Sequence, residues 1–122
     1  KSGKGIIIDA NKNAAGWKER VALVAADARQ KAGITELFAG PLRVSMTFYF
    51  GRPKSHYTSK GGLKESAPKN HVVRPDLIKL TRAAEDALSG VVIRDDCLIP
   101  CYVLWKCYGS NPGVWIMVEE LG

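Results

Sequence analysis

The stretch that most restricts the fold is Leu42–Phe50, where Leu42, Val44, Met46, Phe48 and Phe50 alternate with Arg43, Ser45, Thr47 and Tyr49. A period of two with one polar side belongs to a strand packed on a core through its apolar face. Such a strand needs hydrogen-bonding neighbours and a layer to cover it. Gly5–Ala10 (GIIIDA) is a short apolar run suited to a strand, followed by turn and N-cap chemistry from Asn11 to Asn13. From Ala14 to about Lys31 the pattern is helical, with Trp17, Val21, Val24 and Ala28 on one face and Gly33 placed to end it. Pro75 fits the first turn of a second helix that runs to about Ser89 and stops at Gly90, with Leu77, Leu80, Ala84, Ala87 and Leu88 as its apolar stripe. Three further strands are expected at Val91–Arg94, Cys101–Tyr108 and Val114–Glu119. The last two read as a hairpin turning at Ser110-Asn111-Pro112-Gly113. The expected fold class is α/β (α+β), a mixed sheet with two main helices packed on it in the order β-α-β-loop-α-β-β-β.

A chain of 122 residues is expected to be one domain, 1–122, able to bury a core without staples. It opens on Lys1 rather than Met, so a short N-terminal segment is expected to be missing. No run approaches the ~18 apolar residues of a membrane span, and no apolar run follows Lys1–Lys4, so neither a membrane partner nor a secretory signal is expected. The three cysteines, Cys97, Cys101 and Cys107, lack zinc-site spacing. They read as reduced thiols on buried strands, in keeping with a reducing compartment.

Charge is concentrated in one stretch. Arg52, Lys54, Lys60, Lys64, Lys69, Arg74, Lys79 and Arg82 face only Glu65 and Asp76 within it, which accounts for the whole net charge of +6. His56 and His71 fall in the same window. Residues 52–73 have no sustained periodicity and read as a basic, mobile loop, long for a compact domain. A positive field confined to one segment attracts phosphate backbones by counterion release, whereas a merely solvated lysine-rich loop is the bland account.

Asp76 opens the second helix, and Asp95 and Asp96 follow the next short strand. Clustered carboxylates repel unless a cation neutralises them, and their hard oxygens suit Mg²⁺ or Mn²⁺. Such a site beside a basic surface suits phosphodiester hydrolysis. The plain alternative is that Asp76 serves the helix dipole and Asp95-Asp96 a turn. There is no Gly-rich phosphate loop and no spaced Ser, Cys and His set, which leaves little support for a small-molecule enzyme.

These residues carry a resemblance. Arg74-Pro75-Asp76-Leu77-Ile78-Lys79-Leu80-Thr81-Arg82, then Asp86-Ala87-Leu88-Ser89-Gly90 and Asp95-Asp96, resembles the signature of the RusA-type Holliday junction resolvases. Phe50-Gly51-Arg52-Pro53-Lys54-Ser55-His56-Tyr57 is similar to phage-type members. The resemblance implies a homodimeric endonuclease of the cytoplasm of a bacterium or phage-infected cell. It would bind four-way DNA junctions and cut two opposed strands with Mg²⁺ or Mn²⁺. It assigns metal-binding and catalytic roles to Asp76 and Asp96, with Asp95 beside them, and the basic catalytic position to Arg82. Where the family usually carries a second aspartate this chain has Ile78, which can neither bind metal nor accept a proton. Glu85 lies about 10 Å further along the helix axis, too far from position 78 to replace it.

DNA contacts are expected from Arg52, Lys54, His56, Tyr57, Lys60, Lys64, Lys69, Arg74, Lys79 and Arg82. Trp17, Trp105 and Trp115 are expected in the core, leaving Tyr57 as the exposed aromatic to watch. Two functions therefore stand side by side: a resolvase with impaired cleavage, and a non-catalytic nucleic-acid-binding module that keeps the dimer and the basic surface.

Overall fold

A computed structural model describes residues 5–11 and 16–122. Four strands, β1 (Gly5–Asn11), β2 (Leu42–Phe50), β3 (Cys101–Tyr108) and β4 (Gly113–Glu120), form one mixed sheet in the order β1-β4-β2-β3. Strand β4 is antiparallel to both its neighbours, and β2 runs parallel to β3. Parallel neighbours cannot be joined by a tight turn, so the chain crosses from β2 to β3 through a helix. Two helices, α1 (Trp17–Lys31) and α2 (Leu77–Leu88), lie against one face of the sheet and against each other, the latter contact reinforced by Lys18 Nζ to Asp86 Oδ2 at 3.3 Å.

The alternation read from the sequence decides which face is covered. Ile6 and Ile8 of β1, Leu42, Val44, Met46 and Phe48 of β2, and Val114, Ile116 and Val118 of β4 are buried. They meet Val21 and Ala25 of α1 and Leu80, Ala84, Ala87 and Leu88 of α2. Full burial of each Val, Leu, Ile, Met or Phe side chain stabilises by roughly 1.5–3 kcal/mol, so this single layer contact is the main source of stability. Helix α1 ends as expected: Gly33 has φ +73°, and its N–H donates to the Gln30 carbonyl. Of the expected turn before it, Lys12 and Asn13 lie outside the described residues, as does Ala14.

Four expectations need correction. Strands β3 and β4 are not a hairpin, because β2 lies between them. The apolar alternation of β4 suits a central strand paired on both sides, whereas β3, with Tyr102, exposed Val103 and Trp105, and Lys106, takes the edge. The segment Val91–Arg94 does not join the sheet. It makes isolated parallel bridges from Ile93 to Phe38 and Ser89, within a turn closed by Gly90 N–H to the Ile93 carbonyl. The tryptophans also divide: Trp17 packs beside Phe48, but Trp105 is 60% exposed and Trp115 half-buried, both on the uncovered face of the sheet. Tyr102, Leu104 and Lys106 take the helix-facing side of β3, which leaves Val103 and Trp105 outward. Cys97 is likewise exposed, in a 3-10 turn rather than a strand.

Candidate carboxylate site and DNA interface

Helix α2 carries both ends of the site. At its start, Lys106 Nζ donates to the carbonyls of Val73 (2.7 Å) and Pro75 (2.9 Å), fixing the chain that enters the helix. Asp76 is the N-cap: its backbone is extended, and Oδ1 accepts the Lys79 N–H at 2.8 Å, so the helix begins at Leu77 rather than Pro75. Ile78, Lys79 and Arg82 follow on the solvent side, and Ile78 is 60% exposed. Ile78, Arg82 and Glu85, spaced by four and three, form one line along the helix.

Beyond α2, the turn at Gly90–Ile93 brings the chain back toward the helix. Asp95 Oδ1 accepts the Cys97 N–H at 2.9 Å and caps the 3-10 turn Asp96–Leu98. That hydrogen bond holds the Asp95 carboxyl below its ordinary range. Asp96 goes the other way: hydrogen bonding with the Asp95 side chain, then with Glu85, holds its carboxyl above the ordinary range. Glu85 also accepts a hydrogen bond from the Tyr102 hydroxyl, whose ionisation is pushed up by burial and by Glu85.

Asp95 and Asp96 are thus together, joined by Glu85. Asp76 stands at the opposite end of α2, nine positions and roughly 13 Å along the axis from Glu85. Among the described residues no group of three His, Cys, Asp or Glu side chains is placed to hold a metal ion. Carboxylate oxygens nonetheless match a hard cation, and Mg²⁺ commonly uses one or two protein carboxylates with water and substrate phosphate completing its shell. Asp95 and Asp96 fit that reduced form.

The basic segment has its own structure. A small hairpin runs from Tyr57 to Leu63, bridged between those residues and closed by Thr58 N–H to the Gly62 carbonyl at 2.7 Å. Its root is an aromatic cluster. Phe50 and His71 stack at 4.3 Å between ring centroids, and His71 and His56 approach the Tyr108 ring at 5.0 and 5.3 Å. The Arg52 guanidinium lies over Tyr108 at 4.3 Å, and its Nη1 donates to the Pro68 carbonyl at 2.7 Å. Lys54, Tyr57, Lys60, Lys64, Lys69, Arg74, Lys79 and Arg82 are exposed, while Arg52 and His56 are half-buried. The ion pairs found among the described residues, Lys18–Asp86, Lys31–Asp27 and Arg43–Glu119, involve none of them.

This surface and the motif on α2 meet the comparisons with known proteins. A family model for endodeoxyribonuclease RusA matches residues 1–119. The chain belongs to the RusA endodeoxyribonuclease family. It is also 32% identical over 108 residues to the uncharacterized protein YqaN of Bacillus subtilis (strain 168), across 86% of this chain and 72% of that protein. RusA family activity is endonucleolytic resolution of Holliday junctions, so nuclease chemistry on branched DNA is the frame for the site. No described helix is long and apolar enough to cross a membrane.

Against this RusA frame, sequence reasoning missed Glu85 and the aromatic root. Along its own helix Glu85 is too far from position 78 to replace it, but its neighbour is Asp96, which the fold returns to it. Phe50 packs against the core, as its alternation predicts, and does more. It sits where β2 ends, and there it stacks on His71, which is buried and acts as an anchor.

Proposed function

We propose that this chain binds four-way DNA junctions as a structure-selective endonuclease and that its cleavage is impaired at Ile78. The observation that carries this reading is Ile78 itself, a large apolar side chain 60% exposed on the line of α2 between Asp76 and the Glu85–Asp96 contact. Nothing about packing demands isoleucine there, and a carboxylate at that position would stand about 3 Å along the axis from Asp76, on the line of the helix that leads to Glu85.

Asp95 and Asp96 would hold Mg²⁺ or Mn²⁺, with Asp76 as the further catalytic carboxylate. When bound, the ion supplies a Lewis acid and lowers the pKa of coordinated water. The chain's own residues do the rest. Arg52, Lys54, His56, Tyr57, Lys60, Lys64, Lys69, Arg74 and Lys79 engage the DNA. Arg82, one turn from Ile78, sets a fixed positive charge where negative charge develops on the phosphate.

The partner for paired cleavage is a second copy of the chain. The sheet face opposite the helices supports this: it exposes Ile7, Val103 and Trp105, and among the described residues its charged side chains are Asp9 and the paired Arg43 and Glu119. A polyanion is not attracted to such a face, and two chains that each carry +6 approach most readily through it. The separation of Asp76 from Asp95 and Asp96 favours a second reading, a non-catalytic module that keeps junction binding.

Both readings require selective binding. A labelled four-way junction should be bound at least tenfold more tightly than a duplex with the same arm sequences at the same salt, with arms and salt matched because phosphate contacts alone do not discriminate. Equal affinity for the two would remove the junction assignment.

A further inference from the structure

The turn Gly109–Asn111, which leaves β3, is flanked by two open recesses. One, of about 320 Å³, lies on the uncovered sheet face among Asp9, Tyr49, Asn111 and Trp115. The other, of about 230 Å³, lies at the root of the basic segment and is lined by Arg52, Tyr57, Tyr108, Gly109 and Ser110. Their electrostatics differ in sign. Among the described residues, the first has a carboxylate in its wall and no cation. Among the described residues, the second has a guanidinium and no acid, and the adjoining hairpin carries Lys60, with Lys64 just past its end.

Phosphate recognition needs only charge, yet this second recess is built from flat groups. Arg52 is held in place by the Tyr108 ring beneath it, by the Pro68 carbonyl, and by contact of Nη1 with His56 Nδ1 at 3.2 Å. Its plane is therefore presented rather than free to swing. Tyr57 is 40% exposed, and its backbone is held by the bridge to Leu63 and by its N–H to the Lys54 carbonyl at 3.0 Å. An exposed tyrosine beside an immobilised guanidinium plane, in an open recess with positive surroundings, suits a planar heterocycle. Proteins that hold unpaired bases stack them on aromatic rings and arginine planes in this way, with little regard to base identity.

Resting on the junction-binding reading above, we propose that this recess receives a nucleobase unstacked from the strand-exchange point of branched DNA. The base packs against Tyr57 and Arg52, while Lys54, Lys60 and Lys64 engage the flanking phosphates. The exchange point supplies such a base at lower cost than a duplex, because the continuous stack is already interrupted there. The recess thus provides a source of selectivity for branched over linear DNA that charge alone does not.

The test is a double-mutant cycle between the protein and the DNA. Tyr57→Leu should weaken binding to an intact junction about tenfold, and Tyr57→Phe should retain wild-type affinity. Junctions with a single abasic site are then compared, each exchange-point position in turn. At the position of the recognised base, Tyr57→Leu should have no comparable effect, whereas an abasic site in the middle of an arm should leave the tenfold loss in place. Thermal melting of both variants should match the wild type. An equal loss on the intact and on every abasic junction would overturn the proposal, since Tyr57 would then contact the backbone; so would no loss on any. Failure of the wild type to bind junctions would remove the parent reading as well, whereas binding without coupling to a base removes the recess alone.

Discussion

Asp95 and Asp96 are adjacent in sequence, yet their carboxyls are displaced in opposite directions. Asp95 accepts the Cys97 N–H and is held low, so it favours the fold above its unfolded value and loses that contribution as pH falls through its folded midpoint. Asp96 shares hydrogen bonds with Asp95 and Glu85 and is held high, so it favours the fold below its unfolded value and loses that contribution as pH rises through its folded midpoint. Both are at the surface, where water screens such effects, and the consequence to look for is the titration itself. Glu85→Gln should lower the Asp96 midpoint, read by carboxyl-carbon NMR. An unchanged midpoint would assign the displacement to Asp95 alone. The behaviour of Asp96 was not legible in the sequence, because Glu85 and Tyr102 reach it only once α2 and β3 are packed together.

At the scale of elements, Asp76 has two separable duties, as a helix cap and as a proposed catalytic carboxylate. Asn caps as well as Asp, whereas Ala leaves an orphan N–H. Asp76→Asn should therefore melt within a few tenths of a kcal/mol of the wild type, and Asp76→Ala should lose about 1 kcal/mol by denaturant unfolding. Equal loss in both would mean that the negative charge, and not the cap, stabilises α2. The helices themselves were readable because their apolar positions recur at three and four, and β2 and β4 because theirs recur at two. Pairing was less readable. Strand β3 has apolar residues on both sides, so periodicity does not tell which of Leu104 and Trp105 turns inward. A turn at Ser110–Gly113 likewise leads equally well to an adjacent strand or past the end of β2. Ile93 looks like a strand residue but is buried as a turn residue beneath Phe38 and Leu88.

Over the whole molecule, charge and hydrophobicity are sorted onto different regions. The basic segment and the solvent side of α2 carry the positive field, and among the described residues the sheet face opposite the helices mixes exposed Ile7, Val103 and Trp105 with Ser45, Thr47 and Tyr49 and is nearly neutral. DNA on one region and a second copy on the other would give two carboxylate sites related by a two-fold axis, which paired cutting of a two-fold junction requires. Between the two ends of each site stands Ile78, on the helix position where an acidic side chain is also favoured by the macrodipole, by roughly 0.3–1 kcal/mol. The most direct measurement is to incubate the chain and its Ile78→Asp variant with a labelled four-way junction, with and without Mg²⁺. The account predicts paired, symmetric nicks from Ile78→Asp in Mg²⁺, little or no cutting by the unaltered chain, and binding by both. Efficient symmetric cutting by the unaltered chain would contradict it.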